Sequence, residues 1–133
     1  MICNALLMFR GICGHANCLT EGGAVDAQGS EVVVFVTASS NEEAEKLGRM
    51  IVESRLAACA NLVSGMRSIF RWDDKISVEN ECLMILKTTR QRYPELESVI
   101  RQHHSYEVPE IIALPVVAGS VSYLDWIRSE TSK

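Results

Sequence analysis

Two adjacent histidines, His103 and His104, are the residues of this 133-residue chain best suited to hold a metal ion. Imidazole nitrogens suit copper, zinc and nickel. Neighbours on a helix point about 100° apart, so both rings reach one ion only where the helix ends. Ser105 and Pro109 follow and can end it. A further ligand would come from Glu107, from a thiol such as Cys82, or from another chain. The competing assignment is structural: His103 prolongs an apolar helical stripe, and His104 interacts favourably with the helix C-terminus.

A second set is Glu79, Glu81, Lys87, Tyr106 and Glu107. Gathered in one cleft, these groups could bind a small anion or move a proton. Otherwise they are ion pairs and hydrogen bonds of an interface. Glu81 and Lys87 share one strand face, which suits the second assignment. Cys59 and Cys82 sit in apolar runs, where thiols act as small hydrophobes. Cys13, His15 and Cys18 offer two thiols and an imidazole, but structural zinc takes four ligands and no second pair stands nearby.

Composition narrows the class. A chain with 47% apolar and 23% charged residues is an ordinary soluble domain, long enough for one core. A net charge of -4 with no basic stripe argues against nucleic acid as partner. No apolar run approaches the roughly 20 residues that cross a bilayer, so no membrane is expected. Five dispersed cysteines are not a disulfide framework and point to reduced thiols in the cytoplasm. Residues 1–30, glycine-punctuated and weakly patterned, are expected to be a flexible extension; 31–133 form the domain.

The elements that must position these side chains follow from periodicity. Glu31–Ala38 is a continuous β-branched run and predicts a central strand. Ser39 and Ser40, with Glu42 and Glu43, carry capping-box spacing and predict a helix start. Ala44, Leu47, Gly48 and Ile51 give that helix its buried stripe, with Leu56 near its end. Ala57–Thr89 is two long extended arms around Asp73-Asp74-Lys75, a hairpin. Each arm of about 15 residues spans about 50 Å, whereas such a domain is only about 30 Å across. The arms must therefore bend, at Ser64-Gly65, or protrude, and their edges call for a cover. Arg90–His104 predicts a second helix, Ile111–Val117 an edge strand containing Pro115, and Val121–Arg128 a terminal helix capped by Ser120. The order β-α-β-β-α-β is the ferredoxin-like α+β arrangement: an antiparallel sheet with helices on one face. Its other face stays apolar and uncovered, a second sign of oligomerisation.

Several blocks then resemble the CutA family, the divalent-cation tolerance proteins. They are Arg55-Leu56-Ala57-Ala58-Cys59-Ala60-Asn61, Phe70-Arg71-Trp72 with Lys75, Met84–Thr89 (MILKTT), His104–Ile111 (HSYEVPEI) and Tyr123-Leu124-Asp125-Trp126. The resemblance covers about residues 31–131. It implies a homotrimer built through sheet edges and the long hairpin, with no established catalytic activity and therefore no enzyme. It implies weak binding of copper or another divalent metal ion, with His103 and His104 as metal ligands. In some members a first-strand cysteine joins the two histidines in a proposed copper site; here Val36 stands at that position, and the soft ligand is missing. It also implies an intersubunit pocket of Trp72, from the hairpin tip, with Glu79, Glu81, Lys87, Tyr106 and Glu107. The PII signal proteins, which also stack ferredoxin-like domains in threes, suggest an alternative: a trimeric small-ligand sensing module.

Overall fold

The computed structural model describes residues 29–133, so the expected extension and its Cys13-His15-Cys18 motif lie outside the described residues. The elements are β1 (Glu31–Ala38), α1 (Asn41–Glu53), β2 (Cys59–Trp72), β3 (Lys75–Thr89), α2 (Tyr93–His103), β4 (Ile111–Pro115) and α3 (Val121–Thr131). They form one antiparallel sheet in the order β2-β3-β1-β4. This is the ferredoxin-like arrangement expected from element order.

Alternation in the strands sets the core. Val32, Val34, Val36 and Ala38 of β1 are buried, as are Cys82, Met84 and Leu86 of β3. They meet Ala44, Leu47 and Ile51 of α1 and Leu96 and Ile100 of α2 in one cluster. The opposite face carries Val33, Phe35, Leu83 and Ile85, all half-buried, beside Ile112 and Leu114, which are exposed. Among the described residues only α3 reaches that face, at the end around Glu31 and Cys59, and its centre is uncovered. Ser40 caps α1, its Oγ accepting from the Glu43 amide at 3.1 Å. Gly48 lets α1 close on β2: a Cβ there would sit 3.3 Å from that of Ala60.

Four expectations need correction. The second helix begins at Tyr93, not Arg90, because Pro94 belongs in a first turn and Arg90–Arg92 form the turn before it. Strand β4 stops at Pro115, two residues early; it is an edge strand, as a proline requires. Helix α3 runs three residues further, to Thr131, and Ser120 starts it with its carbonyl, not its hydroxyl. His103 does not continue the buried stripe of Leu96 and Ile100; it faces solvent.

Helix α3 closes the end of the sheet, placing Leu124 and Ile127 on Ala58 and Val116. Its last turn is tied down by Arg92, a nearly buried residue whose Nε donates to the Thr131 carbonyl at 2.6 Å.

Candidate functional site

Only Cys82–Thr89 of β3 pairs with β1; Lys75–Glu81 pairs with β2 alone. A two-stranded ribbon therefore projects past the body of the sheet. Its tip is a two-residue turn in which Asp73 and Asp74 both have positive φ, 47° and 60°, the hand that matches strand twist. At its base Ser64-Gly65 stands opposite Cys82 as a bulge, with Gly65 at φ 76°, a conformation that costs glycine nothing.

Between the ribbon and the segment after α2 lies an open cleft of ≈ 950 Å³. Within one chain Trp72, Glu79, Glu81, Tyr106 and Glu107 line it, together with Phe70, Glu110 and Arg71, whereas the expected pocket was one between subunits. Lys87 does not. It lies six residues beyond Glu81 on β3, about 20 Å along the strand. There it pairs in register with Val33 and Cys59, and its Nζ donates to Asn61 Oδ1 and reaches the Ile85 carbonyl at 3.5 Å. The cleft is thus carboxylate-rich and poor in cations. Burial, and then the neighbouring carboxylates of Glu81, Glu79 and Glu43, push the Tyr106 phenol above its ordinary pKa.

The two histidines part company. Helix α2 ends at His103, and His104 is extended, with φ -76° and ψ 144°. The His103 ring faces solvent with Nδ1 2.9 Å from the Val99 carbonyl, which leaves Nε2 outward. The His104 side chain is fully buried. Its Nε2 lies 2.8 Å from the Thr37 carbonyl, and its Nδ1 lies 3.0 Å from the Tyr106 amide. A carbonyl only accepts and an amide only donates, so these partners assign the proton to Nε2 and the lone pair to Nδ1. Both nitrogens are occupied, and a metal could bind His104 only by displacing Tyr106 or Thr37.

Beside this ring sits Glu43, which the sequence marked only as a helix cap. Its carboxylate accepts from the Ser39 amide at 2.8 Å, the Ser39 hydroxyl at 2.6 Å, the Ser105 amide at 2.6 Å and the Ser105 hydroxyl at 3.0 Å. His104 Nδ1 is 3.8 Å away. Burial opposes the charge, but hydrogen bonds from Ser39 and Ser105 outweigh it and hold the carboxyl down at about 2. Glu43 and His104 together fasten the end of β1 to the segment carrying Tyr106 and Glu107. The capping spacing pointed to Ser40; nothing local in sequence pointed to Ser105.

The thiols do not extend the site. Cys82 faces the core, where burial pushes its pKa up and away from the thiolate a metal needs. Cys59 is half-buried, with Sγ 3.8 Å from Tyr123 Oη. Among the described residues, no three His, Cys, Asp or Glu side chains gather closely enough to hold one ion.

The model of the CutA1 divalent ion tolerance proteins matches residues 32–130. The chain belongs to the CutA1 family. It is 44% identical over 101 residues to the divalent-cation tolerance protein CutA of Thermus thermophilus, covering 76% of this chain and 98% of that one. It is 41% identical over 112 residues to human Protein CutA, covering 84% of this chain and 63% of the human protein. The solved Thermus structure superposes with a TM-score of 0.76 at 43% identity, covering 77% of this chain and 99% of that one. The structure of the periplasmic divalent cation tolerance protein CutA from Archaeoglobus fulgidus gives 0.75 at 35% identity, covering 77% and 99%. A relative from Arabidopsis thaliana, 40% identical over 100 residues, is named Protein CutA, chloroplastic; it covers 75% of this chain and 55% of that one.

Proposed function

We propose that this CutA1 protein serves in divalent-cation tolerance as a homotrimer, without catalysing a reaction, and that it holds cations weakly at open sites. The observation that carries the cation reading is the excess of carboxylates in the cleft, four glutamates against the one lining cation, Arg71. Glu79, Glu81, Glu107 and Glu110 share one cleft, and Lys87 stands at the other end of the strand. Such a cleft concentrates cations and repels the nucleotides and small anions of a PII-like sensor. His103 adds an outward nitrogen suited to copper. Neither place offers a closed coordination shell.

Two apolar surfaces support the trimer. One is the uncovered sheet face around Phe35 and Ile85. The other is the ribbon, where Ile69 is 73% exposed and Ile76 61%. Cross-strand pairing puts Ile69 against Val78 on one ribbon face, which a partner copy would cover. Light scattering on a sizing column is expected to give three times the 14.7 kDa chain mass. A monomer at micromolar concentration would contradict the trimer.

Calorimetric titration of copper(II) and manganese(II) into the full chain tests the cation reading. Weak, saturable binding is expected, reduced for manganese by Glu107→Gln and for copper by His103→Ala. Tight, stoichiometric copper binding, or none of either ion, would overturn the open-site account.

A further inference from the structure

The cleft is built for more than a bare ion. Four glutamates line it, and its lining cation, Arg71, turns toward the ribbon tip, with Nη1 3.4 Å from the Asp74 carbonyl. Glu81 is only 9% exposed, lines the cleft, and has no cationic partner among the described residues; its polar neighbour is the Tyr106 phenol. Glu81 has that phenol as a hydrogen-bond partner but no cation beside it, so an ammonium group entering the cleft would meet a carboxylate free to pair with it.

The size and spacing of the charges decide which cation. Among the described residues, no three carboxylates approach one point closely enough to coordinate a single ion. Glu79 and Glu81 are two residues apart on one strand face, so their backbones are about 7 Å apart. Glu107 and Glu110 stand on the segment that forms the opposite wall. The charges therefore suit a ligand whose own positive charges are spread along its length.

The walls between the carboxylates are aromatic. Phe70 and Trp72 are 39% and 54% exposed on the ribbon, and Tyr106 is on the other side. Ring faces attract ammonium groups and pack on methylene chains. A volume of ≈ 950 Å³ is that of a small-molecule cleft, far larger than one ion needs.

We propose that the cleft binds a linear aliphatic polyamine, its ammonium groups on Glu81, Glu79 and Glu107 and its methylene chain on Trp72 and Phe70. The proposal rests on the reading of the cleft as a cation-attracting site and names a different class of cation for it. Divalent metal ions are the competing occupant.

The test is calorimetric titration of spermidine into the full chain, with magnesium chloride and manganese chloride run at matched ionic strength. Saturable spermidine binding is expected, weakened about tenfold by Glu81→Gln and about threefold by Trp72→Ala. Circular dichroism checks that each variant is folded. Should Glu81→Gln fail to fold, the exposed Glu107→Gln carries the test, with a loss of about threefold. Absence of saturable spermidine binding overturns the proposal, and so does binding that Trp72→Ala leaves unchanged and magnesium displaces equally well. Manganese binding without spermidine binding would sink the polyamine and leave the metal reading standing. Spermidine binding without manganese would do the reverse, and no binding of either would sink both.

Discussion

His104→Ala is expected to destabilise the protein by about 2–4 kcal/mol while leaving copper binding per folded molecule unchanged. The ring is fully buried, and its removal opens a cavity. It also strands two backbone groups, the Thr37 carbonyl and the Tyr106 amide, that the two nitrogens satisfied at 2.8 and 3.0 Å. Both losses act on stability. Thermal and urea unfolding at fixed protein concentration would measure them, with copper calorimetry run on the same sample. His104→Gln is expected to recover part of the loss by restoring one hydrogen bond. A variant as stable as the parent but unable to bind copper would make His104 a ligand and contradict the assignment of both nitrogens. His103→Ala, on the exposed last turn of α2, is expected to change stability by less than about 0.5 kcal/mol.

Removing the Glu43 charge gives the second large effect. The carboxyl titrates at about 2 in the fold against 4.5 without its partners. A lowered folded-state pKa contributes stability that is fully present above 4.5 and is lost as pH falls through 2. Two and a half pKa units correspond to about 3 kcal/mol. Glu43→Gln is therefore expected to lose about 2–3 kcal/mol at pH 7 and to converge with the parent near pH 2. Urea midpoints between pH 2 and 7 would measure both. A pH-independent difference would mean that Glu43 acts through shape alone. The same variant should free the Ser105 end of the cleft wall, since two of the four hydrogen bonds to the carboxylate come from Ser105.

Much of this fold is legible in sequence because its signals are local. The unbroken β-branched run of β1, the serine before α1 and the turn residues between the ribbon arms each specify an element without help from the rest of the chain. The errors fall where tertiary context decides. Pro94 fits a helix only in its first turn, which moved the start of α2. Pro115 sits on the outer edge of β4, and one more hydrogen bond, from the Val116 amide to the Glu31 carbonyl, follows before the chain leaves β1. His103 lies on the helical stripe by spacing, but the last turn of α2 has already left the core.

The site was half legible. Family resemblance, not spacing, grouped Lys87 with Glu81 in a pocket between subunits; within one chain about 20 Å of strand separates them. His104 is buried because the chain turns extended at that residue, which helical periodicity cannot show. Glu43 meets Ser105 across 62 residues, a contact no motif marks.

The measurement that bears most directly on the central claim is paramagnetic broadening of amide resonances by manganese(II), titrated into isotope-labelled full chain at pH 7. The account places weakly held cations in the ribbon cleft, so Glu79, Glu81 and Glu107 should broaden first, at substoichiometric manganese. His103 and Lys87 should follow only at higher concentration. Broadening that starts at His103 and His104 and spares the ribbon would contradict the account and return the histidine pair to the centre of cation binding.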